Sequence, residues 1–90
     1  MATYIVGYDI HPSKGETYTE LIDALRAYGT YWHHLDSTWV IVTNQTAAQV
    51  RDNLGKHLKA DDQLLVVSSG GEGAWQGFDE KGSKWLKDHL

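Results

Sequence analysis

Apolar residues recur along this chain of 90 residues at two different spacings, and each change of spacing marks a new predicted element. Residues 3–10 alternate with a period of two, which predicts a strand with two distinct faces. One face carries Tyr4, Val6, Tyr8 and Ile10, and the other carries Ile5, Gly7 and Asp9. Gly7 leaves room on its face for a close approach to the backbone.

Two later segments have the three-to-four-residue spacing of amphipathic helices. The first follows a loop at 11–15, starts at a capping box at 17–20 and ends at Gly29, which favours a left-handed exit. Its predicted apolar stripe consists of Tyr18, Leu21, Ile22, Leu25 and Tyr28. The second starts at a capping box at 46–49, includes Gly55 and ends near Lys59. Its predicted apolar stripe consists of Ala47, Val50, Leu54 and Leu58. A last apolar strand is predicted at 63–69.

Residues 30–43 predict two short strands joined by a turn at Asp36 and Ser37. With that turn as the tip, His34 lies opposite Trp39 and Trp32 lies opposite Ile41, so that these four side chains share a face. Both faces of the pair are largely apolar, whereas a hairpin with one solvent-exposed face would show polar alternation. We therefore expect both faces of the sheet to be covered.

The order of these elements is β-α-β-β-α-β, which predicts an α+β, ferredoxin-like fold with an antiparallel sheet and two helices on one face. Residues 1–90 form a single domain, with a core at 1–69 and a C-terminal loop and helix at 70–90. The loop is rich in glycine, with four of the nine glycines between 70 and 77, and a short helix is predicted from Ser83. Because the second sheet face needs a cover, we predict a homodimer that is packed through the sheets or completed by residues 70–90.

Composition narrows the classes of function. The formal net charge is −4, which argues against tight, non-specific binding to nucleic acid but leaves room for a local basic site. Cysteine is absent, so disulfides and thiolate metal sites are excluded, and a cytoplasmic location is expected. No segment approaches the ~20 apolar residues that span a bilayer, and the N-terminus lacks a basic region typical of a secretory signal, so no membrane partner is expected.

Asp9 is the first candidate for chemistry. A carboxylate at the end of a central strand, beside Gly7, can bind a divalent cation, and the two copies in a dimer could share one Mg²⁺ or Mn²⁺. The alternative is that Asp9 begins the loop and caps a nearby backbone donor.

His33, His34 and Asp36 are the second candidate set. In a strand His34 and Asp36 point to one face and His33 to the other, and the set could bind a metal or act as a general base. The alternative is structural: His34 packs on Trp39, and His33 hydrogen-bonds within the sheet or a dimer interface. Ser37 could be a nucleophile near His34, although serine in a turn is more often there for its backbone hydrogen bonds.

The loop after the last predicted strand is the candidate ligand site. Free amides at Gly70, Gly71 and Gly73 are typical of phosphate-binding loops, although the Gly-Lys-Ser/Thr of a P-loop is missing. Trp39 and Trp75 are candidates for stacking on a nucleobase or another planar ligand. The alternative is a flexible connector to a docking tail, with the tryptophans in the core or in an interface.

Three segments, 4–10, 31–39 and 73–78, resemble those of small bacterial and phage proteins labelled "SinR family", over nearly the whole chain. More distantly, the first strand resembles that of the second CRISPR-associated (spacer-acquisition) protein family, whose relatives include virulence-associated protein D. Of that family's residues only Tyr8-Asp9 is matched. The resemblance implies a ferredoxin-like two-fold dimer with Asp9 at the metal-binding position; some members are metal-dependent nucleases and others are structural DNA-binding subunits.

Two functions follow as hypotheses, the first of which covers both ligand binding and docking to a protein partner. The leading one is a small dimeric binding protein for a nucleic acid or nucleotide-like ligand, or for a protein partner to which it docks as antitoxin-like subunits do. The enzymatic alternative is a metal-dependent endonuclease or phosphodiesterase, in which Asp9 holds the metal and His33 or His34 assists proton transfer. The acidic charge and the unspecific His and Asp spacing favour binding over catalysis.

Overall fold

The computed structural model describes residues 1–11 and 18–90. It contains seven elements in chain order: β1 (Ala2–Asp9), α1 (Thr19–Arg26), β2 (Tyr31–Leu35), β3 (Thr38–Thr43), α2 (Ala47–Gly55), β4 (Gln63–Ser68) and α3 (Glu80–His89). The predicted α+β class is confirmed, with a four-stranded antiparallel sheet. Most of the loop predicted at 11–15, and Thr17 of the first capping box, lie outside the described residues. None of the described helices is long and apolar enough to cross a membrane.

The sheet has the strand order β2-β3-β1-β4, with every neighbouring pair antiparallel. β1 is therefore a central strand, and it pairs with β3 on one side and β4 on the other. β2 and β4 are the two edge strands. Asp9 ends β1 opposite Gln63 of β4.

The first sheet face packs against α1 and α2 and forms the helix-side core. Its fully buried members come from both helices and both central strands: Val6, Leu21, Leu25, Trp39, Ile41, Val50 and Leu54. Burial of each such side chain contributes about 1.5–3 kcal/mol to folding. The predicted stripes of both helices are thus the faces that the sheet covers.

The second sheet face is covered in part by α3. Trp32, Val40 and Leu86 form a separate buried cluster there, and Ile5 and Phe78 pack against it. Two hydrogen bonds fix the helix on the sheet: Trp32 Nε1 donates to the Gly82 carbonyl at 3.1 Å, and Thr3 Oγ1 donates to the His89 carbonyl at 2.7 Å. The C-terminal segment of the same chain therefore covers the β2–β3 side of this face.

The predicted pairing of the β2–β3 hairpin is wrong by one residue. Trp32 lies opposite Val40 rather than Ile41, while Leu35 lies opposite Thr38, so His33 and His34 both face Trp39 across a bulge. The bulge turns Trp32 and Trp39 to opposite faces of the sheet. Each indole is buried on its own side, and each N–H has a hydrogen-bond partner there.

Helix ends follow local chemistry. The second capping box is confirmed, because Thr46 and Gln49 exchange both side-chain hydrogen bonds, and Gly29 has the expected left-handed φ of 84°. α2 ends at Gly55 instead of near Lys59, since the next turns tighten into i→i+3 hydrogen bonds. α3 begins at Glu80, earlier than predicted, because the Asp79 side chain caps it by accepting from the Gly82 N–H at 2.7 Å.

Candidate functional site

A cavity of about 280 Å³, here called the C-terminal cleft, lies between the second sheet face and the segment after β4. Its floor is formed by Ile5, Trp32 and Val40 of the sheet, and α3 contributes Leu86 and Leu90. Its outer wall is formed by Gly70, Glu72, Gly73, Trp75 and Phe78. The lining is mainly apolar and aromatic with exposed backbone at the glycines, which is typical of sites for planar ligands.

A wider depression of about 770 Å³, here called the α3 groove, runs along the exposed side of α3. Its basic side chains are Lys81, Lys84 and Lys87, three of the eight Lys and Arg residues of an acidic chain. Glu80, Ser83 and Asp88 complete the helical side, and Trp75 forms the opposite wall. The groove thus combines an aromatic ring with the densest group of lysines in the sequence.

Lys84 and Asp88 form an ion pair of 2.7 Å one helical turn apart. The hydrogen bond to Asp88 raises the pKa of Lys84, and the same bond lowers the pKa of Asp88. Lys84 therefore stays protonated, and Asp88 of the same helix compensates its charge. Lys81 and Lys87 are exposed and line the groove as well.

Glycine positions the segment that carries Trp75. Gly71 has φ 87°, a conformation that other residues adopt at a cost, and its N–H donates to Ser69 Oγ at 3.2 Å. A Cβ at Gly73 would lie 3.0 Å from Leu90 Cδ1, so the backbone approaches the last residue of the chain closely. These contacts place Trp75 between the C-terminal cleft and the α3 groove.

Three of the five predicted ligand residues meet in the cleft: Gly70, Gly73 and Trp75. Gly71 lies beside it, in a shallow depression with Met1 and His89. Trp39 does not belong to the group, which corrects the prediction. It is fully buried in the helix-side core, where its Nε1 donates to the Tyr8 hydroxyl at 3.1 Å.

Sequence reasoning missed several lining residues. Trp32 was assigned to the same face as Trp39, and only the bulge turns it toward the cleft. The lysines could have been found from their spacing of three residues: Lys84 and Lys87 fall in the helix predicted from Ser83, and Lys81 lies just before it. No sequence signal indicates that Phe78 lies 4.8 Å from the Trp32 ring.

The predicted catalytic residues are exposed but separate. Asp9 stands at the end of β1, and a Cβ at Gly7 would meet nothing within 4 Å, so this face does have the expected room. His33 stacks on Trp39 with a centroid distance of 3.8 Å, and His34 lies 5.0 Å from Trp32. The two histidines thus point to opposite faces, as predicted, but it is His33 that packs on Trp39.

Asp9 and His34 are on β1 and β2 with β3 between them, so about 10 Å of sheet separates their backbones. Within residues 1–11 and 18–90, no three His, Asp or Glu side chains are close enough to hold one metal ion. Asp9 thus belongs to no such group among the described residues, and the predicted cation site shared by two chains stays a prediction.

At the hairpin tip, the Asp36 carbonyl accepts a hydrogen bond from the Tyr8 hydroxyl, and the Ser37 carbonyl accepts one from the Tyr8 backbone N–H. These backbone contacts are typical of residues that form a turn.

No known protein family, curated protein or solved structure that was compared with the chain matches it. The resemblance to the spacer-acquisition family therefore stays a prediction carried by residues such as Tyr8 and Asp9. The geometry of the cleft and the groove is the basis for a functional conclusion.

Proposed function

We propose that this protein is a binding module for a planar, anionic ligand, either a nucleotide or a short segment of single-stranded nucleic acid. One observation carries the proposal: Trp75 forms a wall of both the apolar C-terminal cleft and the lysine-bearing α3 groove. A base and the phosphate attached to it need these two environments side by side.

The aromatic half of the site suits a base. Trp75 is 37% exposed, whereas Trp32 and Trp39 are buried, so Trp75 offers an accessible ring. Stacking of one base on an aromatic side chain is worth about 1–3 kcal/mol. The cleft of about 280 Å³ is small, which favours a single base-sized group over a larger flat molecule.

The charged half suits phosphate. Lys81 and Lys87 place two exposed ammonium groups along the wall opposite Trp75. The rest of the surface is acidic, since the chain as a whole carries −4. A short ligand held at one basic patch fits this distribution, whereas a long duplex would meet repulsion beyond the groove.

The architecture supports a ferredoxin-like assignment, with residues 70–90 as an addition on the second sheet face. The β-α-β-β-α-β order and the strand order β2-β3-β1-β4 favour it. In this arrangement the ligand site lies where the C-terminal segment meets the sheet, and the α+β core holds it.

The proposal is tested by fluorescence anisotropy with labelled oligo-U and oligo-dT, and with mononucleotides and cyclic dinucleotides as competitors. Trp75→Ala should weaken binding by about 5- to 150-fold, the equivalent of one lost stack, and Trp75→Phe should restore most of it. Tyr31→Ala is the matched control, because Tyr31 is also 37% exposed but lies on the other sheet face. Absence of binding by the wild type, or equal loss in both alanine variants, would contradict the proposal.

A further inference from the structure

The outer side of β4 is a strand edge with which no strand of the described residues pairs. We propose that a second copy of this chain adds to it, so that two β4 strands pair antiparallel about a two-fold axis at Val66 and form a continuous eight-stranded sheet. The apolar side chains of this edge, Leu65 and Val67, line neither the C-terminal cleft nor the α3 groove, although Ser68 at the end of β4 borders the cleft. The inference goes beyond the proposed ligand binding.

The register of β4 on β1 shows which backbone groups point outward. The Ser69 N–H donates to the Thr3 carbonyl at 2.8 Å, and Ile5 and Gly7 lie opposite Val67 and Leu65. Because hydrogen-bonded positions alternate in an antiparallel pair, residues 63, 65 and 67 bond to β1. Residues 64, 66 and 68 therefore direct their N–H and C=O groups to the free edge, where no described residue pairs with them.

The side chains on this edge are apolar and exposed. Leu65 is 62% exposed and Val67 is 40% exposed, and both lie on the second sheet face beyond the cover that α3 provides. They are not part of the cleft lining. Two apolar side chains next to a row of unpaired backbone groups are suited to addition of another strand.

The other edge strand differs. β2 contains the bulge at His33 and His34, and Phe78 of the C-terminal segment packs near His34. A bulge and a covering segment are two of the devices that block strand addition. Among the described residues, β4 has neither device. Its sequence, Gln-Leu-Leu-Val-Val-Ser, contains no charge and no proline, and its pairing with β1 is regular.

The partner at this edge is a second copy of the chain, because the outward backbone groups of one β4 strand match those of another β4 strand in the antiparallel direction. With the axis at Val66, residues 64 and 68 of the two copies face each other and Val66 faces itself, so every outward backbone group finds a partner. The same register places Leu65 of one copy directly opposite Val67 of the other, in the pairs whose side chains are closest. Two acidic chains can meet here because the strand itself is uncharged.

Sedimentation velocity at micromolar concentration tests the dimer. The wild type should sediment with twice the mass of the 10.1 kDa chain, and Leu65→Lys should weaken the dimer by about tenfold or more. Leu35→Lys is the matched control, because Leu35 is a leucine on the opposite edge strand and is 47% exposed. A monomeric wild type, or a dimer equally sensitive to both changes, would overturn the proposal.

Cysteine cross-linking tests the register, and the chain has no other cysteine to interfere. A mixture of Leu65→Cys and Val67→Cys proteins should form a disulfide-linked heterodimer on mild oxidation, because facing residues in a non-hydrogen-bonded pair have the separation that a disulfide needs. Either variant alone should cross-link much less. Equal cross-linking in all three samples would exclude this register. If the dimer persists in Leu65→Lys and no disulfide-linked heterodimer forms, the two chains associate through another surface.

The proposals of ligand binding and of the β4 dimer can be contradicted independently of each other. Leu65→Lys should leave the affinity for labelled oligonucleotides unchanged, since Leu65 contacts neither cavity. If Leu65→Lys loses the dimer but still binds the oligonucleotides, the β4 interface is independent of the ligand site.

Discussion

The indole N–H of Trp32 donates to the backbone carbonyl of Gly82, 50 residues later in the chain, in a buried hydrogen bond of 3.1 Å. This bond fixes α3 on the sheet. Because Trp32 lines the cleft and Gly82 lies between Lys81 and Lys84, the same contact sets the distance between the two halves of the proposed ligand site.

Trp32→Phe should therefore lower both stability and ligand affinity. The change removes a buried donor and part of a packed ring, which should lower the free energy of unfolding by about 1–3 kcal/mol in urea denaturation. Trp75→Phe makes the same chemical change at an exposed ring and should alter stability much less. If both variants unfold at the same urea concentration as the wild type, α3 is not held by this contact.

Asp62 is the centre of a second set of contacts, which joins the end of β1 to the start of α1 and of β4. Its carboxylate accepts from the His11 N–H at 2.9 Å, the Lys59 N–H at 2.9 Å and the Tyr18 hydroxyl at 2.7 Å. Burial raises the pKa of Asp62, but the hydrogen bonds from Lys59, Tyr18 and His11 together outweigh it and hold the pKa below its usual value.

This lowered pKa predicts a specific pH dependence. A carboxyl whose pKa is lower in the folded state contributes stability above its unfolded pKa of about 3.9, and the contribution is lost as pH falls through the folded pKa. Asp62→Asn should destabilise the protein at neutral pH and change its stability little in strong acid. Urea midpoints at both pH values measure this, with the exposed neighbour change Asp61→Asn as control. An equal loss at both pH values would show that packing, not ionisation, matters.

The lysines of the α3 groove make a prediction about salt. Each phosphate contact to a single strand contributes about 0.7 to the slope of log affinity against log salt concentration. Lys81→Gln combined with Lys87→Gln should therefore weaken binding to oligo-U at low salt and make it less dependent on salt. Lys56→Gln with Lys59→Gln removes the same charge elsewhere and should leave the slope nearly unchanged. An unchanged slope in the groove variant would mean that phosphate does not bind there.

Local patterns predicted much of the fold. The alternation in β1, the stripes of α1 and α2 and the capping box at Thr46 each depend on residues that are close in sequence, so their structural result is fixed locally. For the second sheet face the sequence leaves two covers open, a second chain packed through the sheets or residues 70–90, and in the structure residues of the C-terminal segment cover part of it.

The hairpin register and the site depend on contacts between distant segments. Both faces of the β2–β3 pair are apolar, so a shift of one residue still buries apolar side chains and the pattern cannot choose between registers. Only the docking of α3, through Gly82, provides the buried acceptor that draws Trp32 to the second face. For the same reason the sequence groups Trp39 with Trp75 as candidates for stacking on a ligand, whereas Trp39 is buried in the helix-side core, across the sheet from Trp75.

Asp9 provides the final prediction, because it separates binding from metal-dependent cleavage. In the proposed β4 dimer Asp9 pairs with Gln63, three residues from the axis at Val66, so the two Asp9 carboxylates lie more than about 20 Å apart and cannot share a cation. We expect labelled RNA and DNA to stay intact with Mn²⁺, and Asp9→Ala to bind oligo-U like the wild type. Cleavage that requires both Mn²⁺ and Asp9 would contradict the binding-only function. If that cleavage persisted in Leu65→Lys, it would arise without the β4 interface, and a different pairing of two chains would have to bring the carboxylates together.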